Sequence, residues 1–403
     1  MPGFDYDVTD ETIFLQFKVE NGKIVVPVGV GYRVLVLPVH KVLSLAIWEK
    51  VEELLQKGAQ VIGSKPESTV SLVGGEKEQQ EFQELANKIW GNEVAEKGER
   101  KVGNGLVAWR VSARDYLLAE KVPTDFDVLE NDSKTDFDYI HYTIGESDVY
   151  FVTNQTTDRQ KINCQFRVSE LQPELWDALT GEIRDAQAFT QKEGLTTVPL
   201  VLEPYGAILV VFNKPIDKNI QGSARSNYPD FKTVKNIDGE WKVNFDTQWG
   251  GPASVSFSEL LDWTKHSDES IKYYSGAAIY NKTFNLDFEP ETDIQYFLQL
   301  EDVKDVGIAE VKTNGKDKGV LWTKPFRVEI SQELQKGENT LEIKIVNSWY
   351  NRVAGDQTYP DKKKYTSTNI DLKYDYRGRP RQKIPLEPSG LLGPVTISEA
   401  INN

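Results

Sequence analysis

The sequence predicts a multidomain chain, α/β at its start and all-β afterwards, and three patterns carry that expectation. Strand-like and helix-like runs alternate over the first third. The apolar period then changes to two near Asp136, and from there short alternating runs are separated by Gly, Asn, Asp and Pro up to the C-terminus. We therefore expect a doubly wound parallel-sheet domain at 1–135 and a small antiparallel β-sandwich at 136–215. A linker or edge segment at 216–236 and a jelly-roll β-sandwich at 237–403 complete the expected order. The 403 residues suffice for two or three such domains.

In the first part, YRVLVLP (32–38) is a continuous Val- and Leu-rich run, as expected of a strand buried on both faces. Leu43 to Lys57 places Leu43, Ile47, Val51, Leu54 and Leu55 on one helical face, and Gly58 supplies the stop. AQVIGS (59–64) reads as a second strand, and KEQQEFQELANKIW (77–90) as a second helix with Phe82, Leu85, Ile89 and Trp90 apolar. GNGLVAWRV (103–111) follows as a third strand. In the middle part DYIHYTI, DVYFVTNQ, KINCQFRVS and AILVVFNK alternate as strands. FRVSELQPELWDALTGE (166–182) reads as a turn whose Trp176 caps the sandwich, the alternative being a sugar platform of Trp176 with Glu174 and Asp177. Residues 213–236 are polar and turn-rich. Beyond them GEWKVNF, AAIYNKTFNL, IQYFLQLEDV, IAEVKTNG, FRVEIS and NTLEIKIVNSW are strands, and Asn314-Gly315 is a hairpin turn because both residues accept positive φ.

Composition narrows the chemistry. With 62 acidic and 47 basic residues the formal charge is −15, a field that disfavours a nucleic-acid partner. No apolar run is long enough to span a membrane. The lone Cys164 rules out an internal disulfide and reads as a small buried residue. His40, His141 and His266 show no metal-ligand spacing, which argues against zinc. GVGY (29–32) precedes its strand and so cannot cradle a phosphate, and the first domain has no cysteine nucleophile. His40 is expected at a helix start, and His141 as a satisfied structural histidine with no evident partner. Trp249, Trp263, Tyr273, Tyr274 and Tyr280 lie close in sequence, divided between core and a carbohydrate-binding mouth. Asp262, Asp268, Glu301 and Asp302 offer oxygens for sugar hydroxyls or a calcium ion, although no EF-hand spacing occurs. No spacing singles out the pair of opposed carboxylates that a glycosidase requires.

Taken in order, GYRVLVLP, YFVTNQT, FRVSELQPELWDALTGE, DWTKHSDESIKYYSGAAIYNKTF, LEDVKDVGIAEVKTNGKDKGVLWTKPFRVEI, KGENTLEIKIVNSWYNRVAGD and PSGLLGPV resemble the C-terminal, non-barrel region of glycoside hydrolase family 106, the α-L-rhamnosidases. Residues 271–355 are also similar to the sugar-binding jelly roll of family 2 glycosidases. The resemblance implies a flavodoxin-like first domain and a galactose-binding-like jelly roll, with Phe326 in its core and Trp322 in core or rim. It implies an accessory region of a rhamnosidase-like enzyme, with the catalytic glutamates and a calcium site in an N-terminal (β/α) barrel preceding residue 1. No catalytic residue is therefore carried over, and no cofactor is expected. GFDYD resembles the stretch where the family's chain leaves its barrel, and the residues after the single methionine carry no export signal, as expected of a cut piece. The expected partners are that barrel and a rhamnose-containing glycan, in a periplasmic or secreted parent. Sugar contacts are expected at Trp263, Tyr273, Tyr274, Glu301, Trp322, Trp349, Asn351, Arg352 and Asp356, with the last four open to a core or cap role. A free-standing carbohydrate-binding protein and a complete enzyme with an unrecognised site are the other readings.

Overall fold

The computed structural model describes residues 3–38, 42–70, 74–93, 96–129, 136–218, 220–304 and 307–401. Among them strands dominate and helices are few. The chain divides into two compact units: 1–153 with 162–199 and 208–221, and 154–161 with 200–207 and 222–403.

In the first unit the strands Leu35–Val36, Gln60–Ile62 and Gly105–Trp109 pair in parallel, and Gly98–Val102 adds an antiparallel edge. Helices Leu45–Gln56 and Gly75–Trp90 bury Trp48, Val51, Leu54, Phe82, Ile89 and Trp90. The Ser44 hydroxyl accepts from the Ile47 N–H at the first helix's start, and Gly58, at φ +109°, ends it in a conformation that disfavours side chains. Leu43, expected on this helix, lies instead in the strand Val42–Leu43. The run 32–38 is not a strand buried on both faces: Tyr32 pairs into a separate meander (Lys18–Glu20, Lys23–Val25, Gly31–Tyr32), and Val36 is 49% exposed. His40 lies outside the described residues.

Two antiparallel sheets follow in the middle of the chain. One orders Phe137–Ile144, Ser147–Asn154, Ala207–Pro215, Leu171–Trp176 and Ile183–Asp185; the other orders Phe126–Leu129, Gln160–Phe166, Leu195–Leu202 and Thr190–Lys192. The stretch expected as a capping turn is thus an inner strand. Its Glu174 is buried, accepts from Trp176 Nε1 at 3.1 Å and pairs with Lys214. Trp176 thus ends a strand instead of forming a capping turn, and the platform's second carboxylate, Asp177, is engaged too, accepting from the Leu179 and Thr180 N–H groups.

The second unit encloses one core between a four-stranded and a six-stranded antiparallel sheet. Asp230–Asn236, inside the segment expected as linker or edge, is an edge strand paired with Val395–Ile401. The Asn314-Gly315 turn forms as read: φ is +50° and +76°, and Thr313 faces Lys316. Phe326 joins the core while Trp322 is 59% exposed and belongs to the rim. Helix Tyr350–Thr358 was not legible in the sequence, because it has no side-chain N-cap bond and carries Gly355 mid-helix. Tertiary packing accounts for that glycine: a Cβ there would lie 2.8 Å from Tyr273 Cβ.

Candidate functional site

The sequence placed sugar contacts in the second unit, and the structure returns most of them to the interior. Trp263 and Tyr274 are core residues, Tyr273 is buried, and Trp263 Nε1 donates to the Tyr280 hydroxyl at 2.6 Å. They cannot stack on a sugar, since all three are buried: Trp263 and Tyr274 pack edge-on against Phe245 and each other, and Tyr273 meets Tyr359 edge-on. Asn351, Arg352 and Asp356 are buried as well, and their role is to hold the polar segment that follows. Asn351 exchanges two hydrogen bonds with the Glu387 backbone, at 2.7 and 3.0 Å. Asp356 Oδ2 accepts from the Tyr365 and Thr366 N–H groups at 2.8 Å. Arg352 Nε lies 3.1 Å from Asp356 Oδ1, an ion pair without hydrogen-bond alignment. Glu301, Trp322 and Trp349 remain exposed, and Trp349 meets Trp249 edge-on at 4.8 Å. Asp262 and Asp268 cap short helices, and among the described residues no three acidic, His or Cys side chains cluster as a metal site.

A cluster of titratable side chains lies instead in the first unit, beside a cleft of about 1680 Å³. His141 has partners that the sequence did not reveal: Nδ1 is 3.0 Å from Asp125 Oδ2, and Nε2 is 3.0 Å from Asp148 Oδ1. Asp125, itself buried, also accepts from Arg167 Nη2 at 2.9 Å and Tyr150 Oη at 3.2 Å. Asp148 accepts from Thr143 Oγ1 at 3.0 Å. The imidazole lies flat on the Tyr150 ring, with centroids 4.0 Å apart and planes 11° apart. The contributing residues come from several strands and from the turns beside them, so no spacing could announce the cluster. Alternation along DYIHYTI was the only available signal, and it placed His141 on a strand face.

Electrostatics decide what this cluster does. Burial opposes charge on His141, but the hydrogen bonds and charges of Asp125 and Asp148 outweigh it and raise the imidazole from 6.5 to about 9. Burial likewise opposes the Asp125 carboxylate, yet His141 and Arg167 hold it below its usual range; His141 and Thr143 do so for Asp148. Burial and the Asp125 charge push the Tyr139 and Tyr150 phenols up. At neutral pH the Asp125 and Asp148 carboxylates thus face the His141 imidazolium and the Arg167 guanidinium, with Asp5 accepting from the His141 backbone N–H at 3.2 Å. Both ring nitrogens are engaged as donors, so the imidazole has no lone pair to serve as a base. Nor do the two carboxylates oppose each other across a sugar-sized gap; they grip one ring. The cluster is a clamp on the strands that carry it. Cys164 is fully buried and its thiol is pushed up by burial, which leaves it unreactive.

The chain is strand-dominated, with sheet-on-sheet packing in the second unit and few helices, a fold consistent with a sandwich-rich glycosidase. The comparisons with known proteins show what the chain is similar to. The model of glycoside hydrolase family 106, alpha-L-rhamnosidase, matches residues 2–191. A rhamnosidase from Novosphingobium sp. PP1Y superposes with a TM-score of 0.77 at 31% identity, covering 96% of this chain and 35% of that one. A curated protein of Formosa agariphila named "Putative beta-glucuronidase" is 23% identical, covering 98% of this chain and 53% of its own. The chain is thus similar to the family 106 α-L-rhamnosidases, as its sequence motifs indicated. It spans about half the length of the curated relative and about a third of the solved rhamnosidase.

Proposed function

We propose that this chain is the accessory, non-barrel region of an α-L-rhamnosidase-like glycoside hydrolase, buttressing a catalytic (β/α) barrel that acts on rhamnose-containing glycans. One observation carries the reading: 96% of the chain superposes on about a third of a rhamnosidase. The cleft of the first unit supports it, since Tyr6, Val8, Ile13, Val28 and Val36 line it and stand exposed, as a surface awaiting a partner domain would. The locked state of Asp125, His141 and Asp148 supports a non-catalytic role. In this reading the parallel sheet is flavodoxin-like, the second unit's sandwich is a galactose-binding-like jelly roll, and any calcium belongs to the barrel of a periplasmic or secreted parent. The exposed Trp249–Trp349 pair favours a second reading, a free-standing carbohydrate-binding protein.

Two measurements test the proposal together. The folded chain is assayed with an aryl α-L-rhamnoside, and the native polypeptide is sized by immunoblot. No turnover and a band far above 45.7 kDa are expected. Turnover by the chain alone removes the accessory reading, and a band at 45.7 kDa with saturable glycan binding moves the second reading to first place.

A further inference from the structure

The second unit contains a smaller, polar cleft of about 530 Å³, lined by residues of that unit alone. Its floor is the outer face of the four-stranded sheet. Phe297 and Gln299 are two apart on one strand, and Gln299 faces Arg327 on the next, so all three share a face, while Leu298 and Leu300 point into the core. The Arg327 guanidinium lies 3.8 Å from the Phe231 ring centroid and 5.7 Å from that of Phe297. Those two rings meet edge-on at 5.4 Å.

The charges of this cleft are unevenly matched. Of the three basic and three acidic side chains that line it, Arg159 pairs with Glu203 at 3.1 Å, and Asp230 is held at 3.4 Å by Lys161, which lies outside the lining. Among the described residues Arg327 and Lys324 have no carboxylate within 4.0 Å, and the side chains of Arg327, Gln299 and Glu301 form no hydrogen bond there. Burial works against the Arg327 charge, with only partial compensation from Glu203. A partly buried guanidinium held beside two aromatic rings, with no carboxylate partner among the described residues, keeps its donors open to the cleft. Its planar fork matches a two-oxygen anion, and the Phe231 and Phe297 rings hold it in place.

We propose that this cleft binds an anionic sugar residue, a uronate or sulfated pyranose. Arg327 meets the acidic group, Lys324 adds attraction from the rim, and Gln299 with Glu301 takes ring hydroxyls. The volume suits one or two pyranose rings. The proposal rests on the glycan reading above, and it gives Glu301 the sugar contact expected from the sequence, in company the sequence did not indicate.

The test uses the full 403-residue chain and isothermal titration calorimetry with D-glucuronate, glucose 6-sulfate, glucose, sodium acetate and sodium sulfate. D-glucuronate or glucose 6-sulfate should bind saturably, at least tenfold more tightly than glucose, and more weakly as salt is raised. The stronger of the two identifies the acidic group. Arg327→Met keeps the stem on Phe231 and should abolish that preference; Lys324→Gln, at an exposed position, should weaken binding several-fold without affecting folding. Acetate or sulfate binding as tightly as the sugars would overturn the proposal, since the site would then recognise a small anion and no sugar. Binding of glucose as strong as that of the acids, or no binding by any probe, would overturn the proposal. These readouts involve neither rhamnoside turnover nor native mass, so they fail separately from the accessory-region reading.

Discussion

Replacing His141 by glutamine tests whether the buried cluster is a clamp. The amide would donate one hydrogen bond but carry no charge, leaving Asp125 with Arg167 and Asp148 with Thr143. Raising the imidazole from 6.5 to about 9 corresponds to a ceiling of roughly 3 kcal/mol, at about 1.4 kcal/mol per tenfold. The His141 side chain is 17% exposed and that of Asp148 is 26%, so solvent screening lowers this to about 2 kcal/mol. Loss of the face-to-face contact with Tyr150 adds about 1 kcal/mol. The expected loss at pH 7 is therefore roughly 2–3 kcal/mol, read from urea unfolding followed by far-UV circular dichroism. The pH dependence sharpens the test. A raised imidazole pKa contributes stability that is complete below 6.5 and lost as the pH rises through about 9. Wild type should accordingly lose stability between pH 7 and 10 relative to His141→Gln, and the gap should close to within about 1 kcal/mol. Equal stability at pH 7, or a gap that stays constant up to pH 10, would refute the clamp.

The remaining predictions concern the second unit and the acid limb. Trp263→Phe removes the donor to the buried Tyr280 hydroxyl and should cost about 1–3 kcal/mol, seen as a lower urea midpoint, while glycan binding per folded molecule stays unchanged. Asn314→Ala loses bonds to Glu333 O, Asn339 Oδ1 and the Thr340 N–H as well as a residue that tolerates φ +50°, so about 1–3 kcal/mol should be lost in the same assay. Asp125 and Asp148, both held below their usual range, contribute stability that is present above their unfolded value of about 3.8 and lost as the pH falls through their folded values. Acid unfolding should thus shift to higher pH in Asp125→Asn, measured by circular dichroism.

Strand positions in this protein follow from local pattern. Alternation gave Phe137–Ile144, Ala277–Leu286 and Gly337–Val346 to within a few residues, because each faces a core on one side only. The Asn314-Gly315 hairpin and the Gly58 helix stop were equally legible, since a positive φ selects its own residues. The helix at Tyr350–Thr358 was not legible. It exists because Asn351, Arg352, Ala354 and Asp356 are buried by segments distant in sequence.

Family resemblance, likewise, was written in ordered local motifs. The sites were not. Trp263 and Tyr274 have the composition of a sugar platform, yet they are core, and Trp322 with the same composition is rim. His141 looked partnerless because its carboxylates lie 16 residues before it and 7 after it, outside any helical or strand repeat. Arg327 lies in the stretch FRVEIS, read only as a strand, and folding brings Phe231 and Phe297 beside it from other strands. Sequence by itself determined where the chain alternates, turns and stops, because those depend on each residue's own backbone and polarity. Tertiary structure decided which aromatics are covered and which charges are left unmatched, because burial and pairing belong to side chains that meet only when the sheets close.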